Sequence, residues 1–299
     1  MRIAPGSRVI RLAAAACVWA ALLPAPAASQ AWLPEKGALS LDIDYVDTLS
    51  RKHYLPDGSE IDVGHTRSRT MSLTASYAVS DWVSLMASLP WVQTQYNGDR
   101  PHPGEVDDGH SHSTITDAYL AAHFQLTLDP VAIAPYVAVL IPTHDYPTLG
   151  HSAPGRGLNE YWLGFYAGKS LHPWIPRTYV QARYNYAFVE KVAGISHDRS
   201  NAALETGYFL SQHVSFRAFV DWQETHGGID VPIPPSDPLF PYHDQLGAEG
   251  HLNIGGGASW TISDQLGIHG SYMRSIRGEN GHKLDRGLSL GISYAPALR

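Results

Sequence analysis

The strictest constraint on this sequence is the alternation of apolar and small polar side chains between residues 71 and 91. Large apolar residues take every second position there, and serine or threonine residues stand between most of them. A period of two predicts extended strands with one apolar face and one polar face. Ser80 and Asp81 interrupt the pattern, and their side chains favour a tight turn through local hydrogen bonds. The stretch therefore predicts an antiparallel hairpin.

The same pattern recurs to near the end of the chain and predicts about twelve strands. They are centred on residues 38–45, 71–79, 83–91, 118–126, 131–141, 161–167, 180–186, 204–210, 214–222, 252–260, 268–272 and 288–294. Short connections, around residues 81, 129, 174, 212 and 264, alternate with long ones, around residues 57, 105, 150, 195, 236 and 280. An even number of strands places all short turns at one end, which is typical of outer-membrane barrels.

The first 31 residues resemble a secretory signal peptide in composition. A basic start with three arginines precedes an apolar core over residues 12–23, which is too short to span a bilayer. Small residues then offer cleavage after Ala31, or alternatively after Ala27. This pattern predicts export, with residues 1–31 removed and residues 32–299 forming one mature domain.

Composition narrows the classes of function. The one cysteine, Cys17, lies in the predicted signal peptide, so we expect neither a disulfide nor a thiol nucleophile in the mature domain. The formal net charge is −7 and becomes more negative when the signal peptide is removed. A nucleic-acid partner would require basic patches, so none is expected. No run after residue 31 is long and apolar enough for a transmembrane helix.

Three features favour a membrane barrel over a periplasmic β-sandwich, which remains the alternative. About eight strands is the limit for a barrel filled by side chains, so twelve strands enclose too wide an interior for Ser, Gly and Ala. The apolar face carries only Lys169, Arg274 and Arg286, all near strand ends, where charge facing lipid costs little. Tryptophans suited to interfacial girdles are Trp82, Trp91, Trp162, Trp174, Trp222 and Trp260. The predicted fold is all-β, an up-and-down antiparallel transmembrane β-barrel of about 12 strands in the outer membrane.

Three segments between residues 113 and 169 carry a distinctive pattern: TITDAYL at 114–120, APYVAVLIPT at 134–143 and GRGLNEYWLG at 155–164. In these segments the chain resembles the outer-membrane transporter family of the meta-pathway phenol-degradation type. The resemblance implies a channel or uptake protein, of a kind often encoded near degradation pathways for aromatic compounds. One departure is the final segment, since such barrels usually end on an aromatic residue and this chain continues for five residues after Tyr294.

The predicted function is therefore transport of small, hydrophobic or aromatic, molecules across the outer membrane. The expected partners are outer-membrane lipid and a small-molecule substrate, and the sequence does not predict an oligomeric state. A hypothesis from a different class is a non-transporting barrel whose His-rich outer loops bind metal or another partner.

The polar faces of the predicted strands supply the candidate lumen. Acidic and basic side chains mix there, which indicates neither a pure anion selector nor a pure cation selector. A polar conduit would bind substrate weakly through these groups. The alternative, favoured for any single residue, is an interior braced by arginine–carboxylate pairs, drawn from Arg183, Arg217, Glu205 and Asp221. The lumen-lining candidates are Asp42, Asp44, Asp117, His123, Glu160, Arg183, Glu205, Arg217, Asp221, Glu249, His251 and His269.

Most of the sixteen histidines fall in or beside the long loops. The densest group is Asp107, Asp108, His110 and His112, in which the two histidines point the same way on an extended segment. Zinc and similar metals prefer imidazole together with carboxylate ligands. These four residues are the predicted metal-binding candidates, and ordinary solvated loops are the alternative.

An enzymatic role is not expected. A lipid-hydrolysing barrel needs a histidine and a serine two residues apart on one outward face, with an asparagine nearby. His197, Ser200 and Asn201 approach this pattern, but their spacing turns His197 and Ser200 to opposite faces, and the run lies in a predicted loop. No cofactor is expected either, because Gly255–Gly257 is not followed by the helix of a phosphate-binding loop.

Overall fold

The computed structural model describes residues 30–98, 106–234 and 236–297. Of the predicted signal peptide, Gln30 and Ala31 belong to this part, and the remainder of that prediction lies outside the described residues. Within the described ranges, no helix has the length and apolar character needed to cross a membrane.

The described residues fold almost entirely into β-structure. The strands are β1 (Leu39–Tyr54), β2 (Glu60–Ile61), β3 (His65–Ser80), β4 (Val83–Asn97), β5 (Ser111–Ile115), β6 (Asp117–Phe124), β7 (Ala132–Pro142), β8 (Glu160–Ser170), β9 (Thr178–Val189), β10 (His197–Phe209), β11 (Val214–Gly227), β12 (Gly250–Ser263), β13 (Leu266–Glu279) and β14 (Gly281–Tyr294). A 3₁₀ turn at Phe240–Tyr242 leads into one helical turn, α1, at His243–Leu246.

The sheet closes on itself. Neighbouring wall strands pair antiparallel in chain order, and β14 returns to pair with β1 from Leu41↔Tyr294 to Tyr54↔Gly281. Strands β5 and β6 lie in line beside β4, separated where the Thr116 N–H donates to the Pro90 carbonyl at 3.1 Å. Pro90 has no N–H to return, which interrupts the ladder. With β5 and β6 as one wall strand and β2 at the rim, the barrel has the twelve strands predicted.

The large apolar side chains of the wall strands point outward. Large apolar side chains in four different strands are half-exposed: 55% for Leu73, 47% for Leu85, 49% for Phe216 and 66% for Leu290. Ser72, next to Leu73, is buried against the interior. A contiguous apolar surface of this size needs lipid. The closed wall and its apolar outer face place the protein in the outer membrane, as predicted.

A charged cluster limits the apolar band towards the long-loop end of the barrel, which we call the loop end. Asp47 on β1 accepts hydrogen bonds from Arg67, and Arg69 and Arg286 approach it at 3.9 and 3.4 Å. One row closer to the opposite, short-turn end, the outward residue of β1 is the exposed Tyr45. Charge facing hydrocarbon is costly, so the cluster marks the interface with polar headgroups.

The prediction for the tryptophans is right for most of them and wrong for Trp162. Trp82, Trp174 and Trp260 are exposed at the turn end, as expected for an interfacial girdle. Trp162 instead points into the barrel, is buried, and donates its indole N–H to Glu160 at 2.9 Å. Its position has the same parity as Glu160, and two residues along a strand always share a face.

The predicted alternation of short and long connections is present with two corrections. Residues 190–196, predicted as a long connection, are no longer than the predicted short connections 125–131 and 171–177. Residues 277–283, predicted as a loop, form a tight hairpin in which Asn280 alone, at φ +51°, joins β13 to β14. Several strands have 14–16 residues, more than the roughly 9–11 that cross a bilayer. The wall therefore extends beyond the membrane at the loop end.

Candidate functional site: the barrel interior

All the predicted lumen residues lie on the inward side of the wall or beneath the loops that cover it. Asp42 and Asp44 are fully buried between exposed neighbours on β1, and His269 meets Asp44 with Nε2···Oδ1 at 2.8 Å. Glu249 lies just before β12, at the loop end, and Asp117 begins β6. The others lie along the inward faces of their strands: His123, Glu160, Arg183, Glu205, Arg217, Asp221 and His251.

One side of the interior is a charged wall formed by β9 to β12. The Arg183 guanidinium lies 3.3 Å from Asp221, and Arg217 lies 3.2 Å from Glu205. Glu205 also accepts a hydrogen bond from the Tyr179 hydroxyl at 2.7 Å. These are arginine–carboxylate pairs of the predicted bracing kind. Because each charge has a partner, the wall offers hydrogen bonds without a strong field of one sign.

The other side is an aromatic wall formed by β6, β7 and β8. The His123 ring stacks on Tyr136 and Tyr166 at centroid distances of 5.1 and 5.8 Å, and the two tyrosines are 5.3 Å apart. Tyr119 meets Trp162 edge-on at 5.7 Å. All five rings are buried. Offset and edge-to-face contacts of this kind are favourable, so the rings form a fixed surface.

Sequence reasoning identified His123 but missed the role of Tyr136, Trp162 and Tyr166. The position along the strand could have identified them. Trp162 and Tyr166 occupy even positions of β8, on the face opposite to the exposed, lipid-facing Tyr161 and Phe165. Aromatic residues suit either face of a wide barrel, and the hydrophobic pattern therefore did not distinguish them.

A cavity with about 860 Å³ of empty space lies between the charged wall and strands β13 and β14, and Tyr166 is the member of the aromatic wall that borders it. Arg183, Glu205 and Arg217 line its polar side. Tyr166, Phe219 and Met273 contribute rings and a thioether to its apolar side. Its mixture of apolar surface with a few polar groups is typical of small-molecule sites.

The loop end is covered by two segments that fold inward, residues 143–159 and the described residues of 228–249, which are 228–234 and 236–249. The Gly150 N–H donates to Asp244 at 2.6 Å, and the Gln245 side chain donates to the Arg156 carbonyl at 2.7 Å. The Thr94 hydroxyl on β4 donates to the Ser152 carbonyl at 2.5 Å. The two segments are thereby joined to each other and to the wall, and together we call them the cap.

Two buried ion pairs lie at the loop end: one joins the two segments of the cap, and the other joins two wall strands beneath it. Arg156 in the cap lies 3.3 Å from Glu249, and Arg199 on β10 pairs with Glu160 on β8. Burial raises the pKa of Glu249 to about 7, with the nearby Arg156 opposing the shift. A cavity of about 740 Å³, lined by Asp117, Arg156 and Glu160 among others, lies beneath the cap.

The predicted metal candidates have different environments. Asp107 is buried and accepts hydrogen bonds from the His151 and Ser152 N–H groups at 2.8 and 2.9 Å. Asp108 lies at the exposed surface, where it meets His112 Nε2 at 2.8 Å and accepts the His110 N–H. Both hydrogen bonds lower the pKa of Asp108, and the one with His112 has the larger effect. The structure therefore brings Asp108 and His112 together and uses Asp107 to hold the cap.

The turn end is more open. Residues 30–36 cross it, with the Leu33 N–H donating to Gln125 at 2.7 Å and the Gln125 side chain donating to the Ala31 carbonyl at 3.0 Å. A cavity of about 1500 Å³ lies there, with Trp32 and Asp42 among its lining residues. Gln30 lines both this cavity and the central one.

The run from His197 to Asn201 belongs to β10 and not to a loop, which corrects the prediction of its location. His197 is buried inside, whereas Ser200 faces outward, in agreement with their three-residue spacing. Ser200 Oγ lies 2.7 Å from His226 Nε2 and 3.1 Å from the Tyr184 hydroxyl. His226 in turn stacks on Tyr186, so these groups form an outward aromatic and hydrogen-bonded cluster near the loop end.

With this geometry established, comparisons with known proteins address the fold. No protein-family model matches this sequence, and no curated protein matches it either. The COG4313 outer membrane channel from Pseudomonas putida F1 is 15% identical with a TM-score of 0.70, over 91% of this chain and 99% of that one. The translocator domain of the autotransporter NalP from Neisseria meningitidis is 12% identical with a TM-score of 0.50, over 87% and 89%. The NanC porin is 10% identical with a TM-score of 0.49, over 85% and 98%.

At these identities the likeness concerns the fold. The chain has the fold of outer-membrane β-barrels, a class that includes the Pseudomonas putida channel.

Proposed function

We propose that this protein is an outer-membrane channel for small, hydrophobic or aromatic molecules. The observation that supports it best is the central cavity, where Tyr166 of the aromatic wall and Arg183, Glu205 and Arg217 of the charged wall line the same space. An aromatic ring can stack on Tyr166, while a hydroxyl or carboxylate on the same molecule reaches Arg183 or Arg217.

The fold supports the coarser part of this proposal, since a solved structure with the same architecture is an outer membrane channel. The finer part, an aromatic substrate, is supported by the resemblance of residues 113–169 to the meta-pathway phenol-degradation family and by the aromatic wall. Transport requires sites that bind weakly enough to release the solute. Paired charges such as Arg183–Asp221 fit that requirement, because they offer hydrogen bonds without a strong net field. Outer-membrane lipid is the proposed partner of the apolar outer surface.

Flux through purified protein tests both parts. Proteoliposomes are compared with protein-free liposomes for swelling in an aromatic carboxylate, such as benzoate, and in a sugar. We expect protein-dependent flux that favours the aromatic solute. Replacing the rings by Tyr136→Leu and Tyr166→Leu should reduce that preference while the sugar flux is retained.

Absence of flux for every solute would overturn the channel. Together with tight zinc retention by the outer loops, it would favour the alternative of a non-transporting barrel that binds metal. Flux without aromatic preference would overturn the proposed substrate class and leave the channel standing.

A further inference from the structure

Three histidines meet at the loop end, on the seam where β1 and β14 close the barrel. His53 of β1 and His282 of β14 are direct partners in the antiparallel register, so their side chains share a face. Their ring centroids are 4.0 Å apart. His151 reaches them from the cap, with its ring centroid 5.2 Å from that of His53 and 6.2 Å from that of His282.

The donor atoms of these residues are close enough for one ion. One ring nitrogen of each histidine lies within 4.8 Å of the other two. In a tetrahedral site with Zn–N bonds of about 2.0–2.1 Å, the nitrogens stand about 3.4 Å apart. The observed separations, at most 4.8 Å, exceed that spacing by no more than about 1.4 Å. Across the part of the chain that the structure describes, this is the one group of three or more such ligands.

The surroundings hold the three rings in place. His53, His151 and His282 are 3%, 1% and 5% exposed. The backbone of His151 is fixed on both sides, since its N–H donates to Asp107 at 2.8 Å and its carbonyl accepts from Thr66 at 3.2 Å. Its ring stacks on Tyr96 at 4.5 Å with only 10° between the planes.

His282 gives an independent sign of a missing ligand. Neither of its ring nitrogens has a hydrogen-bond partner among the described residues. Buried polar atoms are normally satisfied, and a metal–nitrogen bond would satisfy one of them.

We propose that His53, His151 and His282 bind one divalent transition-metal ion of the zinc class and so fasten the cap to the β1–β14 seam. Three neutral imidazoles suit zinc and its neighbours, whereas calcium and magnesium require oxygen ligands. A fourth tetrahedral position remains for water. The site is distinct from the predicted group at residues 107–112. Of that group only Asp107 contributes, because its carboxylate accepts the backbone N–H of His151. It does not depend on whether the barrel conducts.

Metal titration of the purified, chelator-treated full chain tests this site. We expect one tightly bound Zn²⁺ per barrel by calorimetry, and the visible spectrum of four-coordinate cobalt when Co²⁺ replaces it. His282→Ala should lower the affinity at least tenfold and abolish the cobalt spectrum. Zinc should also slow proteolysis within residues 143–159 of the natural chain and leave that rate unchanged in His282→Ala.

Two variants keep the test decisive. His151→Ala removes a ligand from the cap without altering a wall strand, so it replaces His282→Ala if that variant fails to form a barrel. The double variant His110→Ala, His112→Ala removes the exposed pair and should leave the stoichiometry at one. Equal zinc binding by the natural chain and His151→Ala, or loss of binding only in the double variant, would overturn the proposal.

Discussion

The two ends of the barrel are covered by different means. The loop end carries a cap whose contacts are charged and buried, such as Arg156 with Glu249 at 3.3 Å. The turn end is crossed by residues 32–36, whose Leu33 N–H donates to the neutral amide of Gln125 and whose Lys36 N–H donates to the exposed Asp81 at 2.8 Å, above a cavity of about 1500 Å³. We infer that the main resistance to a passing solute lies at the loop end. The electrostatics of a few residues would then control the channel, while the turn end acts as a vestibule.

The largest expected effect comes from removing a charge from the cap. Arg156→Ala removes the link between the two cap segments and the counter-charge of Glu249, and breaking a buried ion pair costs about 3–5 kcal/mol at a pH above 7, where Glu249 is ionised. We expect the cap to detach and the single-channel conductance in planar bilayers to rise several-fold. Gln125→Ala is the matched change at the other end and should leave conductance nearly unaltered. Equal responses of the two variants would remove the distinction between the ends.

A smaller effect is expected from the carboxylate that anchors residues 150–153. Asp107→Asn weakens hydrogen bonds to the His151 and Ser152 N–H groups, and bonds to a charged acceptor contribute about 1.5–3 kcal/mol. Limited proteolysis should cut residues 143–159 faster in this variant. Asp108→Asn, one residue along and exposed, is the control and should behave like the natural chain. Identical cleavage in both variants would show that the cap is held elsewhere.

The third effect is a dependence on pH. Burial raises the pKa of Glu249 to about 7 from an ordinary 4.5, so the closed cap binds this proton more tightly than an open, hydrated cap. The contribution of this proton to closure is therefore complete below about pH 4.5 and is lost as pH rises from there through 7, by up to about tenfold per pH unit. Asp244, whose pKa burial also raises, acts in the same direction, whereas the lowered pKa of His243 opposes it at more acidic pH.

Conductance measured from pH 5 to pH 8 checks this sign, with most of the change expected below pH 7. It should increase with pH in the natural chain and respond less in Glu249→Gln, which keeps the side chain neutral throughout. A conductance that falls as pH rises would contradict the assignment.

The wall of the barrel could be predicted from sequence because its rules are local. The alternation around Met71 and Leu73 specified which face meets lipid, and the spacing of turns specified the strand order. The failures within the wall were also local. Trp162 occupies an inward-facing position of β8, and a single residue, Asn280, reverses the chain between β13 and β14. Trp162 was assigned to the outer face because it is a tryptophan, and residues 277–283 were assigned to a loop because they are polar.

The cap and the histidine cluster could not be predicted in the same way, because they depend on contacts distant in sequence. Gly150 meets Asp244, and His53 meets His282 through the register of the closing strands. Loops rich in polar residues carry no periodicity that would specify such contacts. Asp107 illustrates the difference, since its sequence neighbours suggested a metal ligand whereas the fold makes it an anchor for the cap.

Closure between the first and last wall strands also bears on biogenesis. The barrel closes only when β14 pairs with β1, so no earlier part of the chain can complete the cylinder. Any intermediate in the membrane would carry two unsatisfied backbone edges. A chain truncated before residue 281 should therefore fail to mature at all, and would not settle as a smaller barrel. Both edges gain their backbone partners only when the final hairpin, β13 and β14, is added.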